Sequence, residues 1–335
     1  MAKTWRAKKI KAVALLSGGL DSTLAVKLIL DQGVDVAAVK FTSPFCMCDQ
    51  KGRCYAAEVS KKFKIPLKVM AKGEEYLLLL RKPKFGYGSG MNPCIDCRIY
   101  TLKKAKAYSK KLGAKFIFTG EVLNQRPMSQ HMRALKLIEK EAGLEGKLLR
   151  PLSAKLLPQT EAEKKGWVDR NKLLAIEGRT RKPQIALAKK FKITDYPSSG
   201  GGCLLTDKEF AKKVRDLFKH EKRVTMKDMQ LLKVGRHFRF GKNKIIVGRN
   251  ESENNMLLTL KGKSDYVFDV PNVGSPITIL QDRKTDEAVK LAAQLTAAYS
   301  DAKQKRVLVK YGSAKPSRKI VVKPINREQI DKLRV

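Results

Sequence analysis

Short apolar runs alternate with amphipathic stretches along the first two-thirds of the chain. Lys11 to Leu16 reads as a buried strand, Ser22 to Gln32 as a helix, Asp35 to Phe41 as a second strand and Glu58 to Lys64 as a further helical stretch. Leu67 to Met70 makes another strand, Arg98 to Leu112 a long amphipathic helix, and Phe116 to Thr119 one more buried strand. Short strands separated by helices predict a doubly wound parallel sheet, an α/β fold that takes its ligand at the carboxyl ends of the strands. After Thr206 the pattern changes. The segments LLKVGRHFRFGKNKIIVGRNESEN, YVFDVPNVGSPITIL and EAVKLAAQLTAAYSDAKQKRVLVKYG predict a hairpin, further strands and a long alanine-rich helix. That is a second, smaller α+β module, so the expected domains are 1–205 and 206–335. The basic tail KPSRKIVVKPINREQIDKLRV is expected to pack only in part, and no internal repeat or low-complexity tract interrupts either half.

Composition adds a partner class. The 335 residues, 43% hydrophobic, suffice for buried cores in two or three domains. Lys plus Arg total 71 against 32 Asp plus Glu, a formal net charge of +39, which favours a polyanionic partner and salt-sensitive binding. A lysine-rich solvated surface is the competing account. The start, MAKTWRAKKIKAVALL, superficially resembles a signal peptide, but its apolar run is too short and lacks a small-residue cleavage pattern. No segment approaches the roughly 20 apolar residues that span a bilayer. The expectation is a cytoplasmic protein with no membrane contact, in whose reducing surroundings the six cysteines are metal ligands or reactive thiols.

The junction of the first strand and helix carries the clearest chemistry. In AVALLSGGLDSTLAV, two residues without a Cβ stand where the chain turns tightly and exposes its amides, and the next helix adds its positive end. This is an anion cradle. The GxxxxGK[ST] spacing of nucleoside triphosphatases is absent, as is the GxGxxG dinucleotide pattern. The residues SGGLDS directly after a strand resemble the pyrophosphatase loop of the ATP pyrophosphatase superfamily, whose domains are adenine nucleotide alpha hydrolase-like and split ATP between its α and β phosphates. The resemblance implies that Ser17, Gly18, Gly19 and Ser22 hold the pyrophosphate and that Asp21 serves the magnesium-bound phosphates. Asp21 and Ser22 also suit a helix start alone.

The cysteines bear on the step after adenylation. GMNPCIDCRIYTLKKA holds Cys94 and Cys97 as CxxC just before the long helix, and SSGGGCLLTD holds Cys203 after three glycines. A helix N-terminus and nearby Arg98 lower thiol pKa values, and CxxC spacing lets both sulfurs meet one metal centre. The NPCxxC element with a distant glycine-preceded cysteine resembles the sulfur-transfer tRNA-modifying branch, the tRNA 2-thiouridylases and 4-thiouridine synthetases. That resemblance implies either a [4Fe-4S] cluster on Cys94, Cys97 and Cys203 or a persulfide with a resolving disulfide between two of them; a zinc site closed by a fourth ligand is the structural alternative. Cys46, Cys48 and Cys54 follow the second strand. They read as a second metal site with Asp49, as a relay thiol or, for Cys54, as a small buried hydrophobe.

Other loops add candidates. In FIFTGEVLNQRPMSQHM, Glu121, Asn124, Gln125 and Arg126 stand where the sheet meets the ligand crevice, and the Arg126 guanidinium suits phosphate or RNA backbone. The superfamily resemblance assigns nucleotide contacts to Thr119 and Gly120. Arg179 and Arg181, in an arginine-rich turn before Cys203, are expected to guide RNA or simply to be exposed. His131, His220 and His237 are scattered and suggest no triad. In the second module, VGRN followed by Asn254, a Gly-Ser before a strand, the alanine-rich helix and VLVKYG resemble the RNA-binding domain of ribosome quality control proteins, over roughly residues 206 to 312. Where that domain often has a histidine before its glycine-serine turn, this chain has DVPNVGS. Lys233, Arg236, Arg239, Lys242, Lys244 and Arg249 alternate with apolar positions, which predicts phosphate contacts on one sheet face.

Together these features describe an ATP- and Mg²⁺-dependent tRNA thiouridine synthase, with tRNA as substrate and sulfide, a cysteine desulfurase or a carrier protein as sulfur donor. Two rivals stand beside it: an amide-forming ligase of the same fold, which needs no crevice cysteines, and an RNA-binding factor that releases no pyrophosphate.

Overall fold

The computed structural model describes residues 10–47, 52–197, 202–313 and 315–335. Cys48, Asp49 and the first two glycines before Cys203 lie outside the described residues, as does the basic start of the chain. The chain divides into two compact units, Met1–Asp207 and Lys208–Val335.

The first unit is a five-stranded parallel sheet. Strands β1 (Lys11–Leu15), β2 (Asp35–Thr42), β3 (Leu67–Ala71), β4 (Phe116–Thr119) and β5 (Leu148–Leu149) lie in the order β3-β2-β1-β4-β5. Alternation along β1 feeds two cores. Ala12, Ala14 and Leu16 pack with helices α1 (Leu20–Leu30) and α2 (Tyr55–Phe63) on one face. Val13 and Leu15 pack on the other face with α4 (Cys94–Lys111) and α5 (Met132–Ala142). Burial on both faces explains why the apolar run of β1 is nearly continuous. Three shorter helices, α3 (Glu74–Arg81), α6 (Glu161–Lys164) and α7 (Lys182–Lys190), complete the unit. Leu20, Leu24 and Leu28 of α1 meet Leu187 and Ala188 of α7, which brings the region after residue 180 back beside the first loop.

Two helix starts differ from expectation. Helix α1 begins at Leu20, because the Ser22 and Thr23 hydroxyls donate back to Gly19 O at 2.9 and 3.0 Å and Gly19 takes the cap position. Helix α4 begins on Cys94 itself: Cys97 N–H donates to Pro93 O at 2.8 Å, the first bond of the helix. Cys94 and Cys97 therefore occupy the first turn and do not precede the helix. Asp96 fixes that turn by accepting from Lys84 N–H at 2.9 Å and Phe85 N–H at 3.0 Å.

The second unit is antiparallel. Its helices are α8 (Lys208–His220), α9 (Met226–Leu231), α10 (Glu251–Leu260), α11 (Asp286–Ala298) and α12 (Arg327–Leu333). Its strands are β6 (Arg236–Phe240), β7 (Asn243–Val247), β8 (Tyr266–Asp269), β9 (Thr278–Leu280), β10 (Val307–Gly312) and β11 (Arg318–Val322), in the order β11-β10-β8-β9-β7-β6. The alanine face of α11, with Ala288, Ala292 and Ala293, covers one side of the sheet, while Leu231 and Leu257 pack from α9 and α10 onto Ile246 and Ile279 on the other. The tail is integral to this unit: β11 pairs with β10 from Val307↔Val322 to Tyr311↔Arg318, and Val322 and Ile330 enter the core. Its apolar positions recur at strand and helix spacing under a coat of lysines, which is why composition alone reads it as loose.

Candidate functional site

The SGGLDS turn leaves the carboxyl end of β1 and is shaped by two glycines. Gly18 has φ +83°, and a Cβ there would lie 2.5 Å from Ala56 N and 2.6 Å from the Tyr55 carbonyl carbon. Gly120, after β4, lets the chain touch the start of α1: a Cβ would lie 2.5 Å from both Ser22 N and Ser22 Cα. The Ser17 and Ser22 hydroxyls are 3.1 Å apart, and Gly19 N–H donates to Ser17 Oγ at 3.3 Å. Among the described residues no side chain caps α1, so its first amides and two hydroxyls form a cradle for an anion.

Asp21 faces a polar pocket. Gln125 Nε2 donates to Asp21 Oδ2 at 3.2 Å, and the Arg181 guanidinium stands 3.8 Å from the same oxygen. Burial pushes the Asp21 carboxyl up, against the charges of Arg181 and Arg126 and the amides of Gln125 and Gln184. Asp21 Oδ1, Arg181 Nε and both amide atoms of Gln184 are buried without a hydrogen-bond partner. Unpaired buried polar atoms are costly. One buried carboxylate and one guanidinium beside a helix N-terminus make a donor set that suits a magnesium-bound phosphate, which Asp21 and Arg181 would hold. Arg181 is therefore a neighbour of the anion cradle and not an outlying guide for RNA, because α7 packs on α1; Arg179, two residues earlier, is exposed. Gln184 carried no signal in the sequence beyond its place near the start of a helix.

Thr119 and Glu121 belong to an internal network. Thr119 Oγ1 donates to Glu121 Oε2 at 3.1 Å, and Arg150 Nε meets that oxygen at 3.1 Å. Arg98 Nε reaches Glu121 Oε1 at 2.9 Å, and Arg150 also pairs with Glu139. The Thr119 hydroxyl is thus committed to Glu121, whereas Gly120 acts by close packing. Asn124, with φ +61°, is exposed.

The thiols gather near the carboxyl ends of the neighbouring strands. Lys72, one residue past β3, donates from Nζ to Cys97 Sγ at 2.9 Å and lies 4.4 Å from the Tyr76 ring centre. Burial pushes the Cys97 thiol up, but the Lys72 ammonium, the Tyr76 hydroxyl and Arg98 outweigh it and hold Cys97 below the ordinary thiol range. Cys203 is pushed up to about 12 by burial, with Cys97 and Cys94 adding to the shift. Burial first, and then the charges of the same three thiols, raise the Tyr76 hydroxyl, which hydrogen-bonds Cys97. Asn92 Nδ2 donates to Cys94 Sγ at 3.2 Å. The Cys203 segment is docked by an antiparallel bridge to Cys46, with Leu204 N–H donating to Phe45 O at 2.8 Å. Cys54 lies apart, taking a hydrogen bond from buried Lys40 Nζ at 3.2 Å.

The expected metal set is not met by these side chains as they stand. Among the described residues no group of three or more His, Cys, Asp or Glu is placed to hold a metal ion. Cys97 Sγ is instead engaged by the Lys72 ammonium at 2.9 Å and by the Tyr76 hydroxyl. The arrangement suits a protein-stabilised thiolate at Cys97. Sequence reasoning missed Lys72 and Tyr76, although a lysine at the carboxyl end of a parallel strand stands where ligand sites form.

In the second unit the cations of β6 and β7 do not share one open face. Arg239 lies across from Lys244, and both lie beneath α8, where Asp216 takes Arg239 at 2.5 Å. Lys244 is buried and its ammonium is pushed down to about 8 by desolvation. Arg236 is on the opposite face, 4.6 Å from the Tyr299 ring centre, with Nη1 donating to Gly248 O at 3.2 Å. Arg249 pairs with Glu253 four residues on; Lys233 and Lys242 are exposed. The GRN motif is a latch: Asn250 Oδ1 caps α10 by accepting from Glu253 N–H at 3.0 Å. Asn254 bonds Ile277 N–H at 2.9 Å and Ser275 O at 3.3 Å. His131 caps α5, His220 lies 3.2 Å from Asp216, and His237 is buried with its pKa pushed far down by desolvation and by Lys244 and Lys213.

Known proteins resemble both units. No curated protein sequence matches the chain. The C-terminal part of a fibronectin/fibrinogen-binding protein from Streptococcus suis shares 15% identity at TM-score 0.28, covering 47% of this chain and 79% of that one. A 4-thiouridine synthetase solved with RNA and ATP shares 21% at TM-score 0.41, covering 67% of this chain, which spans 52% of that protein. The U34-tRNA thiolase NcsA from Methanococcus maripaludis, solved with its [4Fe-4S] cluster, shares 18% at TM-score 0.35, covering 69% and 72%. The family model for the thiamine biosynthesis protein (ThiI) matches residues 8–155, and that for the NFACT protein RNA binding domain matches residues 235–334. The stretch that bears the anion cradle and the CxxC turn is thus similar to the ThiI family, and most of the second unit is similar to the NFACT RNA-binding domain.

Proposed function

We propose that this chain is an ATP-dependent tRNA sulfurtransferase that converts a uridine to thiouridine. The observation that carries this reading is the placement of both chemistries on one sheet edge. The SGGLDS turn follows β1, Gly120 follows β4, and the lysine that holds the Cys97 thiolate follows β3. With β2 alone between β1 and β3, the two sites are about 10 Å apart at ordinary strand spacing.

The first step belongs to the cradle. A uridine carbonyl oxygen attacks the α-phosphorus of ATP, and pyrophosphate leaves into the amides of α1 and the Ser17 and Ser22 hydroxyls. Asp21 would hold Mg²⁺, which when bound neutralises charge developing on the phosphates; Arg181 and Arg126 add positive charge on the same side. The second step belongs to the thiols. A terminal sulfur carried on Cys97 as a persulfide, loaded from a persulfide donor, attacks the activated carbon and AMP leaves. Cys94 or Cys203 then attacks Cys97 Sγ, releasing the thiolated base and leaving a disulfide for an external thiol to reduce. The positive charge of the chain and its NFACT-type domain support an RNA substrate, and the reacting base must leave any stack to reach the sheet edge.

The deciding experiment is anaerobic. Purified protein is scored for visible absorption and iron, then given unmodified tRNA, ATP-Mg²⁺ and either sulfide or a persulfide donor, and the digested nucleosides are read by mass spectrometry. Thiouridine from the persulfide donor, lost in Cys97→Ser while pyrophosphate release persists, is the expected result. A brown, iron-containing protein that works with sulfide would replace the persulfide step with cluster chemistry. Tight tRNA binding without thiolated nucleoside from either donor would leave a non-thiolating RNA-binding factor.

A further inference from the structure

We infer that the RNA-facing surface of the second unit is the open side of the β10–β11 pair, not the β6–β7 hairpin; the inference rests on the proposed RNA partner. From Ala302 to Arg327 the chain carries nine Lys or Arg and no Asp or Glu. This run builds β10, β11 and the loops beside them. Side chains alternate across the sheet. Val307, Val309 and Val322 point to the α11 core, so Leu308, Lys310, Lys319 and Val321 point the other way. That side is open: Val321 is 58% and Leu308 39% exposed, and among the described residues none of α9 or α10 in the Ile246–Ile279 core packs onto them.

The register makes this face electrostatically incomplete. Lys310 and Lys319 are direct cross-strand partners, as are Leu308 and Val321 beside them. Like charges placed opposite each other on one sheet face destabilise the pair. Asp269, on the far side of Lys310 in β8, offsets one of the two ammonium groups. An RNA phosphate between the lysines would complete the neutralisation, with the two aliphatic side chains set against ribose. The cations of the hairpin offer less, because Arg239 and Arg249 are held by carboxylates and Lys244 is buried. Charge complementarity therefore favours the tail strands.

The test uses the full chain and unfractionated tRNA, followed by fluorescence anisotropy over a range of KCl. Lys310→Gln/Lys319→Gln removes both charges but leaves Asp269 without its cation, and Lys319→Gln alone, on the edge strand, relieves the repulsion while keeping Lys310 beside Asp269. Lys233→Gln/Lys242→Gln makes the same charge change elsewhere in the unit. The β10–β11 double variant is expected to bind about tenfold more weakly at physiological salt, with a salt slope shallower by about 0.7, as one lost phosphate contact requires. The melting temperature of Lys319→Gln should hold or rise, since the repulsive pair is gone while Asp269 keeps Lys310. An equal or larger loss from the Lys233/Lys242 variant, or unchanged binding by both β10–β11 variants, overturns the inference. Failure of the unaltered chain to bind tRNA at all would instead overturn the RNA-partner reading.

Discussion

Arg98 Nε lies 2.9 Å from Glu121 Oε1, and this one ion pair joins the helix turn that carries Cys97 to the loop whose glycine supports the anion cradle. Arg150 closes the network from the other side, with its side chain as deeply buried as that of Glu121. The turn that carries Cys97 and the loop that carries Gly120 are therefore anchored on one buried carboxylate, shared by two guanidinium groups.

Removing that carboxylate should be severe. Glu121→Ala leaves Arg150 buried with part of its charge uncompensated, a loss of about 3–5 kcal/mol. Denaturant unfolding of the variant should show a lower midpoint at unchanged slope. Burial alone would raise the Glu121 carboxyl, yet Arg98, Arg150 and the Thr119 hydroxyl hold it below the usual range. The stability it supplies is then present above the unfolded value of about 4.3 and is lost as pH falls through the lower folded value. Acid unfolding should lose this component in Glu121→Gln.

Lys72→Met tests the Cys97 thiolate. An opposite charge at this range depresses a pKa by about 1–3 units, so its loss should cut the thiolate fraction near neutral pH about tenfold or more. The rate of iodoacetamide modification of Cys97 against pH should move to the alkaline side, with ATP binding unchanged. An unmoved profile would show that Tyr76 and Arg98 suffice.

Gly120→Ala tests the support of the cradle. The new Cβ would press on the Ser22 backbone at 2.5 Å, which side-chain adjustment cannot relieve. Pyrophosphate release should fall by about tenfold or more, the scale of a kcal/mol or two of displacement, while Cys97 alkylation stays near its ordinary rate.

Asn254→Ala tests the latch in the second unit. It leaves Ile277 N–H without its acceptor, at a cost of about 1–3 kcal/mol. The melting transition should drop, whereas tRNA affinity at a temperature where the unit remains folded should not change.

Much of this was legible before the structure because it is local. The strand–turn–helix around SGGLDS needs only neighbouring residues, and the strand periods of β1, β2 and β4 come from burial on both faces. What could not be read depends on distant packing. Arg181 looks like an exposed basic turn until α7 docks on α1, some 160 residues away in sequence. The cations of β6 and β7 look like one row until α8 places Asp216 over Arg239. The placement of CxxC within the first helical turn depended on Pro93 and on Asp96 bonding to Lys84 and Phe85, contacts that no periodicity reveals.

The bridge between Cys46 and Cys203 sets a timing on the ribosome. Its two sides are about 160 residues apart, so at roughly 5–20 residues per second the first waits on the order of 10–30 s for the second. Through that interval the nascent Phe45 carbonyl and Met47 N–H lack the Leu204 N–H and Gly202 carbonyl that they bond in the finished unit. Cys97 thus waits, already made, for the third thiol of its group, and the final stretch of the first unit to be synthesised is the one that supplies it.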